Sequence, residues 1–208
     1  MSGDRTKTGV LLMAHGTPSS LDDMPEYLRL VRGGRPPSAE LVAEMRHHYT
    51  AIGGQSPLTE WTLAQADALR RRLGSTATVA VGMRNWRPFI REAVGELAEA
   101  GVRRIIGIPL APQFSTLSVG KYFDAAAAAL EEQMTLERVE TFHAHPLLFD
   151  AFAERLRAAG PRPDEAVVFT AHSLPVRVVQ AGDPYANEVA ATAEGVAAHT
   201  GLDRKSVV

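Results

Sequence analysis

The sequence contains no cysteine. Disulfides, thiolate zinc sites and iron–sulfur clusters are excluded, and any metal must be held by histidine, carboxylate or tyrosine. An excess of one charge is also missing, because 22 basic and 24 acidic residues are interspersed and leave a formal net charge of -2. Nucleic acid or an anionic membrane finds no electrostatic footprint here. No apolar run approaches the ~20 residues of a membrane-spanning helix, and the one that follows Met1-Ser2-Gly3-Asp4-Arg5-Thr6-Lys7 is too short for a signal segment. The chain therefore reads as soluble and cytoplasmic, with no integral membrane segment. Gly-x-Gly-x-x-Gly follows no strand, and Gly-Lys-Ser and Gly-Lys-Thr are absent, which removes the usual nucleotide-phosphate loops. Ser173 lies outside a Gly-x-Ser-x-Gly elbow, so serine hydrolysis is not indicated.

What is present is the material of a core: 208 residues, 45% hydrophobic, enough for one large domain or one and a half. Gly9-Val10-Leu11-Leu12-Met13-Ala14 is a continuous apolar run, the pattern of a strand covered on both faces. Helices are expected after the caps Asp22 and Asp23, with apolar positions Met24, Tyr27, Leu28 and Val31, from Ser38 as N-cap to Ala51, and from Thr59 to Leu73. Strand and helix then alternate: strand Thr78 to Val81, helix Pro88 to Ala100, strand Arg104 to Ile108, helix Ser118 to Met134, strand Arg138 to Phe142, helix Leu147 to Ala159. Alternation of this kind calls for an α/β doubly wound parallel sheet. The hinge Gly160-Pro161-Arg162-Pro163-Asp164-Glu165 precedes another expected buried strand, Ala166 to Thr170, and a last helix runs from Tyr185 to His199. We place a complete N-terminal domain at residues 1–160 and the start of a second α/β domain at 161–208.

Ligands of open α/β sheets bind beyond the carboxyl ends of the strands, which directs attention to the strand-end loops. Histidine both ligates transition metals and exchanges protons near neutral pH. His15 and His172 each follow an expected strand directly, and form a candidate metal or acid–base pair. His143 and His145 alternate without a third ligand nearby and are read as structural. The remaining loops carry Trp86, Phe89, Leu110, Phe114, Leu117 and Tyr122 among Ser115, Thr116 and Ser118, a lining that suits a flat, mostly apolar ligand with polar edges.

Several strings, in order, resemble ferrochelatases, particularly the coproporphyrin III type: Leu-Leu-Met-Ala-His-Gly-Thr-Pro at the start, Arg32-Gly33-Gly34-Arg35-Pro36, Tyr49 to Leu58, and Arg87-Pro88-Phe89-Ile90. They continue with Leu110 to Thr116, Tyr122, Ala171-His172-Ser173-Leu174-Pro175 and Gly182-Asp183-Pro184-Tyr185. The resemblance implies a chelatase-like, Rossmann-like fold of two domains and a lyase that inserts ferrous iron into coproporphyrin III or protoporphyrin IX during haem biosynthesis. It further implies that His172 is catalytic and handles the metal, and that His15 stands where many members carry an iron-ligating tyrosine. Arg32, His48, Tyr49, Ser56 and Tyr122 match substrate-binding positions; His48 replaces an arginine, and Asn85 stands where relatives often carry histidine. No organic cofactor is implied, Fe2+ is a substrate, and the complete protein is expected to be a monomer.

Members of the family run further, into strands that supply a glutamate facing the active-site histidine. The present chain is accordingly expected to be a C-terminally truncated form. Asp203-Arg204-Lys205-Ser206-Val207-Val208 matches the translation of a sequencing-adapter read and is expected to be foreign to the fold. Two other readings remain open at this stage: a catalytically dead porphyrin-binding fragment, and a sirohydrochlorin-type cobalt chelatase. The Gly-Gly-Gln-Ser-Pro-Leu loop and Gly-Asp-Pro-Tyr speak against the latter.

Overall fold

The computed structural model describes residues 7–162 and 164–201; the segment 203–208 lies outside them. Strands β1 (Thr8–Ala14), β2 (Thr78–Met83), β3 (Arg104–Pro109) and β4 (Thr135–Arg138) form one all-parallel sheet in the order β2-β1-β3-β4. Around them run α1 (Met24–Val31), α2 (Ala39–Ala51), α3 (Leu58–Leu73), α4 (Ile90–Glu99) and α5 (Val119–Ala127). After β4 come α6 (Pro146–Ala159), α7 (Val176–Gln180) and α8 (Tyr185–Thr200). This is the α/β parallel architecture expected from the alternation.

The uninterrupted apolar run of β1 follows from cover on both faces. Val10, Leu12 and Ala14 pack with Val79, Val81 and Met83 beneath Ala66, Leu69 and Leu73 of α3. On the opposite face α4 lies so close to β2 that a Cβ on Gly82 would stand 2.7 Å from the Ile90 Cα. Only glycine admits that approach of helix to strand. The chain passes from β1 to β2 on one side and then returns to β3 on the other side of β1. The carboxyl ends of β1 and β3 therefore form the topological switch point, where open sheets of this kind bind ligands.

The chain divides into two compact units: residues up to Leu110 with Lys121–Val139, and Ala111–Gly120 with the residues from Glu140 onward. The Gly160–Glu165 hinge lies inside the second unit, where Gly160 ends α6 in a left-handed conformation. In that unit α6 packs against α8, and Ala153, Ala193, Val196 and Ala197 are buried.

Three expected elements differ. The helix from Ser118 stops at Ala127, not Met134, and tight turns follow it, with Ala129 N–H donating to the Ala126 carbonyl and Leu130 N–H to the Ala127 carbonyl. Alanine propensity favours a longer helix, but the chain must turn back early to place Thr135 beside Arg104 in the sheet. Accordingly β4 occupies Thr135–Arg138 instead of Arg138 to Phe142; it is a mostly exposed edge strand, which explains its polar sequence. The third difference is the largest: residues 166–170 form no strand, and Val168 is 60% exposed. A strand exists only as part of a ladder, and the second unit contains no other strand among its described residues to pair with it. Instead Phe169, Thr170 and Ala171 line an apolar cavity of about 170 Å³ with Phe152 of α6 and Val189 and Val196 of α8.

Candidate active site

The first unit gathers several of the sequence-derived candidates at the switch point. His15 leaves the end of β1 into solvent, while the neighbouring Asn85, at the end of β2, is buried. Their register is set by the parallel ladder, which continues as Arg84 N–H donating to the Ala14 carbonyl (3.0 Å) and Asn85 N–H to the His15 carbonyl (2.9 Å). The Asn85 amide nitrogen lies 3.3 Å from Nδ1 and 3.2 Å from Nε2 of His15. Nearly equidistant from the two ring nitrogens, the amide packs against the imidazole edge and fixes where the ring sits.

Tyr27 supports this corner. Its ring meets His15 edge-on at 6.4 Å and Trp86 edge-on at 6.1 Å, and its hydroxyl donates to the Gly16 carbonyl at 3.3 Å. Tyr27 is fixed by the cluster in which Met24 and Leu28 of α1 pack with Leu41, Val42, Met45 and Tyr49 of α2. Burial raises its pKa well above the usual phenol range, and the nearby Tyr49 and Tyr122 add to the rise. Tyr122 is pushed up to about 12 by burial, with Arg84 opposing. Both phenols are thus neutral at physiological pH and suited to hydrogen bonding.

Beside this corner, Thr17 Oγ1 and the Tyr49 hydroxyl are 2.9 Å apart. Thr17, Ser19, Ile52, Gln55, Ser56 and Glu60 line an open cavity of about 490 Å³. The loop that bounds it is tied down by Gln55 Nε2 donating to the Ser19 carbonyl at 2.6 Å and by Trp86 Nε1 donating to Ser19 Oγ at 3.0 Å. Ser56 caps the start of α3, accepting from Leu58 N–H at 3.3 Å. Arg32, at the end of α1, and His48, on α2, are exposed. His48 has the His47 ring 6.2 Å away. The sequence-derived set thus falls into a joined group of His15, Tyr49, Tyr122 and Ser56 with their neighbours, and two outlying exposed residues, Arg32 and His48.

His172 belongs to the second unit. It is exposed, on the irregular segment that follows Phe169, and forms no hydrogen bond or ion pair with the described residues. The expectation that it directly follows a buried strand is corrected here, for the reason given above. His143, read as structural, sits in a hydrogen-bonded group: the Thr141 hydroxyl lies 2.7 Å from its Nδ1, and Glu188 Oε2 is 3.4 Å away. Among the described residues no group of three or more His, Asp or Glu side chains is placed to hold a metal ion, and no helix is long and apolar enough to cross a membrane.

Sequence reasoning missed Tyr27 and Thr17 as members of the corner, and Asp183 and Glu188 as anchors of a loop. Tyr27 read only as helix core; its hydroxyl within reach of the Gly16 carbonyl gives it the second role. Asp183 stood in plain view in Gly-Asp-Pro-Tyr, but its partners Ser115 and Thr116 are 68 and 67 positions away.

The ferrochelatase family model matches residues 7–208 of this chain. Among similar proteins, a ferrochelatase of Deinococcus radiodurans is 42% identical over 93% of this chain and 65% of its own length. A ferrochelatase of Acidobacterium capsulatum is 44% identical over 95% of this chain and 66% of its own. A coproporphyrin III ferrochelatase of a Geobacillus species is 33% identical over 98% of this chain and 70% of its own. The chain thus spans about two thirds of the length of the relatives it matches. With its parallel sheet and its histidine- and tyrosine-lined corner at the switch point, the chain belongs to the ferrochelatase family.

Proposed function

We propose that this chain carries the porphyrin-binding part of an enzyme that inserts ferrous iron into coproporphyrin III or protoporphyrin IX for haem synthesis. The observation that carries the reading is the convergence of His15, Tyr27, Tyr49 and Tyr122 at the switch point of a chain matched by the ferrochelatase family from residue 7 onward. Iron entry needs the flat macrocycle bent so that its nitrogens face one side, and two pyrrole protons must leave as the cation arrives. In this reading the His172 imidazole accepts those protons on the metal's path, and His15, with Asn85 packed beside its ring, ligates iron. Arg32 and His48 hold the propionate carboxylates, Arg32 with two parallel donors and His48 less firmly. The neutral hydroxyls of Tyr49, Tyr122 and Ser56 meet the polar edge of the ring. Iron is substrate, no organic cofactor takes part, and the protein works as a cytoplasmic monomer.

Binding without insertion by this chain alone has its own support, since His172 sits on an exposed segment that no strand ladder holds. Titration of the chain with coproporphyrin III, followed by the shift of the porphyrin's main absorption band, tests the shared premise. Saturable binding is expected, weakened about tenfold in Arg32→Ala through loss of a charged hydrogen bond to a propionate. No spectral change up to high micromolar protein would contradict the assignment.

A further inference from the structure

The loop that joins β3 to α5 begins at the ligand-binding edge of the sheet, and each residue from Gln113 to Thr116 is held by a group on the stretch 183–192. Asp183, 9% exposed, accepts four hydrogen bonds. Its Oδ2 takes Ser115 Oγ (3.2 Å), Thr116 N–H (2.8 Å) and Thr116 Oγ1 (2.8 Å), and its Oδ1 takes Tyr185 N–H (3.1 Å). Glu188 Oε2 accepts from Phe114 N–H at 2.6 Å and from the Thr141 hydroxyl at 2.8 Å. Gln113 Nε2 donates to Thr192 Oγ1 at 2.9 Å, and that hydroxyl is in turn held by the His143 carbonyl at 3.0 Å.

Simple stapling of a loop would need one such bond. Here both carboxylates reach into a four-residue run, and two of their bonds to it come from the backbone N–H groups of Phe114 and Thr116, so they set the path of the chain as well as its side chains. Bonds from N–H and O–H groups to an ionised carboxylate are the strong class, and an acceptor shared by three donors defines direction tightly. Burial alone would raise the Asp183 pKa, but the Thr116, Tyr185 and Ser115 donors outweigh it and hold the carboxyl below its usual range. The group is therefore an anion at physiological pH and can accept all four bonds. Two residues beyond this run α5 begins.

We infer that Asp183 and Glu188 are positioning residues for the porphyrin: they hold the Gln113–Thr116 loop and the entry to α5 in the conformation that the macrocycle meets. This rests on the porphyrin-binding reading above. The variants Asp183→Asn and Glu188→Gln keep shape and remove charge and acceptor capacity; Thr116→Val and Ser115→Ala remove single donors and leave both carboxylates in place. Each is titrated with coproporphyrin III after circular dichroism shows a native fold. The carboxamide variants are expected to bind about tenfold more weakly and the single-donor variants about threefold. Backbone amide exchange should report the cause: Phe114 and Thr116 lose protection in the carboxamide variants, while β1 keeps its own. Folded variants that bind coproporphyrin III with unchanged affinity would overturn the positioning role and leave the functional reading intact. Failure of the unsubstituted chain to bind the porphyrin would overturn both. Should a carboxamide variant not fold, Thr116→Val and Ser115→Ala decide, because unchanged affinity in both contradicts the inference.

Discussion

Replacing His172 by alanine, in a version of this chain extended to the length of its relatives, is expected to lower ferrous iron insertion by at least about a hundredfold. Porphyrin affinity should stay within about threefold, and stability within about 0.5 kcal/mol. The last two expectations come from the structure. His172 is exposed, lies outside helix and strand, and has no hydrogen bond with the described residues, so its side chain contributes nothing to folding that alanine would remove. The first comes from chemistry: two protons must leave the pyrrole nitrogens, and an imidazole is the side chain matched to accept them near neutral pH. Stopped-flow loss of free-base porphyrin fluorescence in the presence of iron measures all of this except stability. Turnover within a few fold of the unsubstituted enzyme would remove His172 from the mechanism.

The second large effect is expected at Gly16, whose φ of +89° strains any L side chain and whose added Cβ would stand 2.8 Å from the Trp86 backbone nitrogen. That nitrogen belongs to the chain leaving β2 and cannot swing away like a flexible side chain. Gly16→Ala should therefore lose about 2–4 kcal/mol of stability, combining the backbone strain with overpacking. Gly33 supplies the control: its φ is +65°, and nothing lies within 4 Å of an added Cβ, so Gly33→Ala carries the strain alone, about 1 kcal/mol. Denaturant unfolding of the two variants measures the difference. Equal losses would show that the close approach of the two strand-end loops at His15 is not what glycine serves. Because Gly16 follows His15 directly and its carbonyl accepts from Tyr27, the same substitution should also disturb the porphyrin titration, whereas Gly33→Ala leaves the His15 corner untouched.

The sequence revealed the sheet best where burial was complete. The run from Val10 to Ala14 could only be a strand covered on both faces, and it lies at the centre of the fold. Sequence was least informative where two tendencies competed. The alanines from Ala125 to Ala129 favoured a long helix, yet the need to pair Thr135 with Arg104 ended it at Ala127. Phe169 and its neighbours had the composition of a buried strand, but composition cannot supply the neighbouring strand that a ladder requires. His15, Tyr49, Ser56 and Tyr122 were recognisable as a set through family-like strings. Their support by Tyr27, Thr17 and Asn85 was not, because those contacts depend on how α1, α2 and the β2 loop come together.

The central claim is that this chain belongs to an iron-inserting enzyme, and its most direct test is ferrous iron insertion into coproporphyrin III and protoporphyrin IX, assayed side by side with this chain and with its extended version. The expected result is iron-dependent loss of free-base porphyrin by the extended version with at least one of the two substrates, abolished by His172→Ala. Absence of insertion into either porphyrin by a folded, extended protein would contradict the claim.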